Sequence, residues 1–219
     1  MHRLDDKSRM SGDVHVRFCE RLEGKFLRAT RLVICFQYRA DAIRVQNALR
    51  KRLAKFGLEL EPNKTKLVEF GRFAHRHASK HDRKRPETLY FLGFTIYCTR
   101  NRKGNYKVGF RTEKSRFQRS LINLCDLMRR MRHLPVREQA INLNRVLRGH
   151  YAYYGIAGNF RALQRVHRNV ERYWRKNLCC RNREGRVTWE VFHKIKARFP
   201  LQRPRLVFPY PRLQAIAVL

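Results

Sequence analysis

The sequence predicts an α+β protein, in which a partial antiparallel sheet carrying one helix is followed by an all-helical region. The apolar pattern changes from the two-residue period of strands to a period near 3.6 at Glu113. Gly and Pro residues interrupt the pattern where strands or helices are expected to end. A length of 219 residues is enough for one domain or two small ones. We divide the chain into segments 1–16, 17–112, 113–200 and 201–219.

The middle of the first half is predicted to fold as strand, helix, strand, turn and strand. Leu32–Phe36 is a short apolar run rich in β-branched residues, which is typical of a buried strand. A helix is expected from Asp41 up to Gly57, a residue type that tolerates the positive φ found after a helix end. Further strands are expected at 58–60 and 66–70. The apolar positions of the helix, at three- and four-residue spacing, are Ala42, Val45, Ala48, Leu49, Leu53 and Phe56.

The remainder of the first half is assigned from composition and turn signals. The predicted segments are a polar N-terminus (1–16), a short helix and a strand (17–27), a flexible basic loop (72–86), one strand (89–97), a hairpin turn (101–105) and a strand (106–111). Gly93 within a strand would let another backbone approach closely, such as that of a bound strand; a simple bend is the alternative. No cluster of Cys or carboxylate residues joins the loop histidines His75, His77 and His81, so they predict no metal site.

Four amphipathic helices are predicted in the second half, at 113–132, 136–154, 160–178 and 189–199. Asn159 and Thr188 stand at the expected N-cap positions of the last two. The tail has prolines at positions 200, 204, 209 and 211. We expect it to be non-helical, either draped over the helices or loose.

The charge balance of the chain points to a polyanionic partner. Lys and Arg number 51 against 17 Asp and Glu, which gives a formal net charge of +34 and a pI near 11.2. So much uncompensated charge in a compact body is self-repulsive, and nucleic acid relieves the repulsion. A membrane surface is the lesser alternative, because neither a lysine-rich amphipathic helix nor a membrane-spanning apolar run occurs.

Cysteine usage predicts a cytoplasmic protein. The chain has six Cys and no C-x-x-C pair. We therefore expect cysteines that fill the core in a reducing compartment, without disulfides or a bound metal. The N-terminus lacks a signal-peptide core.

The candidate RNA-binding residues are basic and concentrate in the second half. Between residues 113 and 200 there are 21 Lys or Arg against 6 Asp or Glu. Arginines recur every three or four residues in the helix at 160–178, where Glu171 is the only acid, whereas a merely solvated face would need interleaved acids. The complete candidate set is Arg72, Arg76, Lys80, Arg83, Lys84, Arg85, Gly93, Arg129, Arg130, Arg132, Arg161, Arg165, Arg168, Arg172, Arg175 and Lys176.

Several motifs, in order, resemble one family. LVICFQYRADA, LRKRLAKFGLELEPNKTKLVEFGR and YFLGF are similar to the late palm of bacterial group II intron reverse transcriptase/maturases. RGHYAYYGIAGN and YWRKNL are similar to the thumb of that family, its maturase or X domain. The resemblance covers roughly residues 17 to 210. It implies a partial reverse-transcriptase palm at 17–112, a helical thumb at 113–200, and binding of structured intron RNA for splicing.

One departure from the family pattern bears on activity. The family has Tyr-Ala-Asp-Asp before this strand, and the paired carboxylates hold Mg²⁺ for nucleotide transfer. Thr30 and Arg31 stand at the two aspartate positions here, so a weak neutral ligand and a cation replace two anions. The family's fingers and earlier palm strand have no counterpart before residue 17. We therefore expect no catalytic residue, no cofactor for this chain, and no polymerase activity of the chain alone.

Three alternatives stay open at this point. One is an active RNA-directed DNA polymerase that forms only with a second chain carrying fingers and catalytic aspartates, with Mg²⁺ as cofactor of the complete site. Another is a non-functional remnant of a mobile element, whose half-palm leaves sheet edges unpaired. The third, a general DNA- or ribosome-binding basic protein, fits the charge but not the motifs.

Overall fold

The structure is a computed structural model, and it describes residues 14–19, 32–62, 65–181 and 187–217. The chain divides into two compact units, Met1–Gly109 and Phe110–Leu219. Each unit has its own elements and core. In the part of the chain that is described, no helix is long and apolar enough to cross a membrane.

Two three-stranded sheets form the framework of the first unit. The strands are β1 (Val14–Cys19), β2 (Leu32–Phe36), β3 (Lys66–Phe70), β4 (Thr88–Phe91), β5 (Phe94–Arg100) and β6 (Tyr106–Thr112). In the first sheet β1 lies between β2 and β3 and is antiparallel to both, so that Val16 is opposite Cys35 on one side and Val68 on the other. The second sheet has the order β4-β5-β6, and β4 and β5 form an antiparallel pair.

Among its described residues, the first unit also has two helices and a small core. Helix α1 (Arg39–Ala54) follows β2, and helix α2 (Ala74–Lys80) follows β3. The predicted positive φ of Gly57 is confirmed at 66°. Helix α1 begins at Arg39 rather than at Asp41, which lies in its first turn. The buried core consists of Val68, Phe70, Ala74, Leu89 and Cys98.

Two strand predictions for the first unit are wrong. Residues 14–19 form β1, although the sequence suggested a polar segment up to 16 and a short helix from 17. Pairing on both edges gives this strand its hydrogen bonds, and a partner distant in sequence leaves no local signal. Residues 58–60 have no regular structure, so the strand expected there is absent.

The basic loop expected at 72–86 contains helix α2. Ala74 and Ala78 are buried, and their four-residue spacing places them on the same side of the helix. Small buried residues among many cations gave a weak amphipathic signal, which explains why the sequence favoured a loop.

The single strand expected at 89–97 is instead the hairpin of β4 and β5. Phe91 pairs with Phe94, and the two residues between them, Leu92 and Gly93, have positive φ values of 47° and 75°. Positive φ at both central positions is what a tight two-residue hairpin turn requires. The turn therefore accounts for Gly93, and close approach of a bound strand is not needed to explain it.

The second unit confirms the predicted helices to within two residues at each end. Its helices are α3 (Lys114–Arg130), α4 (Val136–Tyr154), α5 (Phe160–Cys179), α6 (Trp189–Arg198) and α7 (Tyr210–Ala217). Helices α3 to α6 correspond to the four predictions, and α7 was not expected. Their largest fully buried side chains include Met128, Leu143, Leu147, Tyr151, Leu163, Val166, Val170, Trp174 and Phe192.

The two predicted N-caps behave differently. The Thr188 hydroxyl accepts a hydrogen bond from the Val191 backbone N–H, as an N-cap should. Asn159 precedes α5 but makes no capping bond. Its buried side chain accepts from the Thr112 backbone N–H at 2.8 Å and donates to the Tyr154 carbonyl at 2.9 Å. Thr112, Asn159 and the end of α4 all belong to the second unit, and Asn159 joins the other two.

The tail is partly helical, so the expectation of a wholly non-helical tail is wrong. Pro211 lies in the first turn of α7, where a missing backbone N–H costs nothing. The segment before α7 does lie on the helices, as one of the two expectations proposed. Asn144 of α4 donates to the Pro200 carbonyl at 2.9 Å, and the Val207 N–H donates to the Gly155 carbonyl at 2.7 Å.

The cysteines only partly fit the expectation that they fill the core. Cys98 is buried, Cys125 and Cys179 are half-buried, and Cys35 and Cys180 are exposed. The prediction is therefore wrong for Cys35 and Cys180.

Candidate nucleic-acid interface

Helix α5 has its buried and its basic residues on opposite sides. The buried residues are Leu163, Val166, Val170, Trp174 and Leu178. Arg161, Arg165, Arg168 and Arg172 are all exposed, and we call these four the α5 basic face. Residues three and four apart share one side of a helix, and the two sets lie about half a turn from each other.

Hydrogen bonds between buried side chains fix the rotation of α5 about its axis. The Trp174 indole N–H donates to the Gln139 side-chain oxygen at 2.9 Å. The Gln139 amide in turn donates to the Leu134 carbonyl at 2.9 Å and to the Arg132 carbonyl at 3.2 Å. A buried polar group that loses its partner is costly, so rotating α5 would be opposed by this chain of bonds. The α5 basic face is consequently held outward.

The one acid of α5 does not neutralise this face. Lys196 of α6 approaches a carboxylate oxygen of Glu171 to 2.8 Å, and Glu171 is half-buried. His167 lies 4.0 Å from the other oxygen. The charge of Glu171 is therefore compensated within the unit, and the arginines lack the interleaved acids of an ordinary solvated face.

Two arginines of α5 contact aromatic rings. Arg165 lies over the Phe117 ring at 5.0 Å and stays exposed. Arg175 is half-buried, donates to the Val187 carbonyl at 2.8 Å and lies over the Trp189 ring at 4.3 Å. The prediction that Arg175 belongs to the exposed basic row is therefore wrong, because its guanidinium holds the segment that leads into α6.

A groove brings together basic residues from two helices. Arg129 and Arg132, at and just beyond the end of α3, face Lys176 of α5 across a space of about 400 Å³. Arg130 is exposed but does not line this space. The complete lining, which we call the α3–α5 groove, is Cys125, Arg129, Arg132, Tyr173, Lys176, Asn177 and Cys180. Burial raises the pKa of the Cys125 thiol, against the opposing effect of its hydrogen bond with Tyr173.

The candidate residues of the first unit are scattered around α2. Arg76, Lys80, Lys84 and Arg85 are exposed, whereas Arg83 pairs with Glu87. Arg72 contributes to a separate pocket of about 470 Å³, which is also lined by Phe73, His75, Thr99, Arg100, Gly104, Asn105 and Tyr106. Basic residues thus occur on both units, and among the described helices α5 presents four exposed arginines at three- and four-residue spacing.

The sequence did not single out Cys125, Tyr173, Asn177 and Cys180 as parts of a site. Tyr173 is 39% exposed. Its position follows from α3 running beside α5 in the same direction, which the contacts Phe117 to Arg165 and Cys125 to Tyr173 establish. No sequence pattern within α3 or α5 indicates that the two helices are neighbours.

Thr30 and Arg31, the positions at which the resemblance would place a metal site, lie outside the described residues. Across residues 14–19, 32–62, 65–181 and 187–217, no group of three or more His, Cys, Asp or Glu side chains could hold an ion.

Comparison of the chain with protein-family models, with curated proteins and with solved structures gave no match.

Proposed function

We propose that this chain is an RNA-binding protein of the maturase type, similar to the C-terminal part of a group II intron reverse transcriptase/maturase, and that it has no polymerase activity of its own. The proposal rests on one observation above all. The α5 basic face is a row of exposed arginines directly opposite five buried apolar residues. Structured intron RNA is the partner that the sequence motifs favour.

The geometry suits contact with a phosphate backbone. Guanidinium groups bind phosphate oxygens in a bidentate way, and a row of them along a helix meets successive phosphates. Because the buried side carries the packing of the unit, binding at the opposite side leaves the core undisturbed. Contacts of this kind position the RNA and give affinity without reading its sequence.

A salt titration tests this proposal. Each phosphate contact releases about 0.7 to 0.9 counterion, so removing three contacts should flatten the plot of log K against log salt by roughly 2 to 3. We expect this change for Arg161→Ala/Arg168→Ala/Arg172→Ala binding to a structured intron RNA. Arg165 is left in place because of its contact with Phe117.

The matched control removes the same amount of charge elsewhere in the unit. Arg137 and Arg145 of α4 and Lys194 of α6 are exposed, and their triple alanine variant should change the salt slope by much less. Both variants should keep the free energy of unfolding of the wild type to within about 1 kcal/mol, because exposed charges contribute little to stability. Equal flattening by the two variants would show that only net charge matters and would contradict the proposal.

A further inference from the structure

The α3–α5 groove differs in kind from the α5 basic face. The basic face consists of arginines alone, whereas the groove combines three cations with an aromatic ring, an amide and two thiols. A volume of about 400 Å³ lies within the range of small-molecule sites and is too small for a helical duplex. The size and chemistry of the groove therefore suit a single small ligand rather than a stretch of nucleic-acid backbone.

Contacts between side chains and backbone fix the walls of the groove. Tyr173 forms a hydrogen bond with Cys125 across the two helices. Asn177 donates to the Tyr173 carbonyl at 2.9 Å, which uses one of its two N–H groups. Arg181 donates to the Leu134 carbonyl at 2.8 Å and to the His133 carbonyl at 3.1 Å, so the end of α5 is tied to the turn after α3. A groove held in this way requires little ordering when a ligand enters.

The groove carries an excess of positive charge. No carboxylate lines it, and Asp126 of α3 accepts a hydrogen bond from Arg129 at 3.2 Å. That pair is largely exposed, so it is weak and can exchange for a phosphate. Lys176 is exposed, and Arg132 is half-buried.

We propose that the α3–α5 groove binds one unpaired nucleotide of an RNA, with its base stacked on the Tyr173 ring and its phosphate held by Arg129, Arg132 and Lys176. This inference rests on the proposed RNA-binding function and extends it. Bases within a duplex are stacked and cannot reach an aromatic ring, whereas an unpaired base can be turned out and stacked on one. The side-chain oxygen and second N–H of Asn177 are then available to the base edge.

The test compares two RNAs of nearly equal length, a hairpin with one bulged nucleotide in its stem and the same hairpin without the bulge. We expect Tyr173→Ala to weaken binding of the bulged RNA about tenfold and binding of the paired RNA by less than twofold. Tyr173→Phe, which keeps the ring and loses only the bond with Cys125, should bind both RNAs nearly as the wild type does. Arg161→Ala/Arg168→Ala/Arg172→Ala should lose affinity for both RNAs equally.

A second measurement uses the unaltered chain, so it does not depend on how a variant folds. Cys180 is exposed and lines the groove, and we expect saturating bulged RNA to slow its alkylation by iodoacetamide at least fivefold more than paired RNA does. Binding of both RNAs without selective loss in Tyr173→Ala, or without selective protection of Cys180, overturns the groove proposal and leaves the proposed function intact. Failure of the wild-type chain to bind either RNA overturns both.

Discussion

Helices α1 and α5 show how similar sequence patterns lead to different degrees of burial. Both have apolar residues at three- and four-residue spacing. In α5 five residues are buried, and Leu163, Val166 and Trp174 have no exposed surface. In α1, among the described side chains, only Ala42 is buried, and Ile43 and Val45 are 42% and 37% exposed.

The difference lies in what packs against each helix. Helix α5 lies among α3, α4 and α6, which supply Met128, Leu147 and Phe192 to one contiguous core. Helix α1 lies against β1 and β2, and its neighbour in the fold is a sheet of three short strands. An apolar stripe shows that a helix has a side to bury, but only the surrounding elements determine how much of it is buried. Regions with few buried apolar contacts open most easily, so α1 should be the less stable of the two.

The largest expected effect is the loss of a large buried side chain in α5. Trp174→Ala removes the ring contact with Phe192 at 5.5 Å and leaves the Gln139 oxygen without its donor. We expect a cost of about 3–5 kcal/mol in the free energy of unfolding by urea, followed by the fluorescence of the remaining Trp189. Phe56→Ala, just beyond α1, removes a ring that is 72% exposed and should cost less than about 0.5 kcal/mol by circular dichroism. Similar losses of unfolding free energy in the two variants would contradict the inferred difference in burial between α5 and α1.

The sequence predicted those features that depend on nearby residues. Helices α3 to α6 could be predicted because their signals, the prolines, the N-cap threonine and the apolar period, depend only on residues a few positions apart. The exposure of Arg161, Arg168 and Arg172 follows from the helical spacing for the same reason.

Features that depend on distant partners were missed. Arg175 is not part of the exposed basic row because its guanidinium contacts Val187, which precedes α6, and Trp189, the first residue of α6. The exposure of Tyr173 depends on the course of α3. The turn at Leu92 was missed because leucine is a rare choice for positive φ.

A smaller effect concerns acid, which should lower the stability of the second unit through His150 of α4. Burial lowers the pKa of His150 from 6.5 to about 4, and its ring lies 4.7 Å from that of Tyr154. Between these two pKa values the unfolded chain binds the proton and the folded chain does not, so stability rises with pH in this window. As pH falls from about 6.5 to 4, we expect a loss of up to roughly 3 kcal/mol, measured by urea unfolding with tryptophan fluorescence.

His150→Phe keeps a ring of similar size and removes the titration, so it should reduce the dependence on pH. Some dependence should persist, because burial also lowers the pKa of His167 while Glu171 opposes the shift. An unchanged pH profile in His150→Phe would show that His150 titrates normally in the folded unit.

The smallest effect compares the helix ends of the two units. Thr188 caps α6 with a hydrogen bond to the Val191 N–H, whereas Tyr38 occupies the N-cap position of α1 without a side-chain bond. Tyr38 already has the extended backbone of an N-cap, with φ −116° and ψ 139°. Tyr38→Ser should therefore add a cap where none exists, and Thr188→Ala should remove one.

Both changes should be about 1 kcal/mol in size and opposite in sign. Thr188→Ala should lower the free energy of unfolding measured by tryptophan fluorescence, since both tryptophans of the chain lie in the second unit. Tyr38→Ser should slow hydrogen exchange of the α1 backbone amides several-fold and leave those of α5 unchanged, because a cap stabilises only its own helix. Faster exchange in α1 after Tyr38→Ser would mean that the Tyr38 ring, although 61% exposed, stabilises the helix more than a cap does.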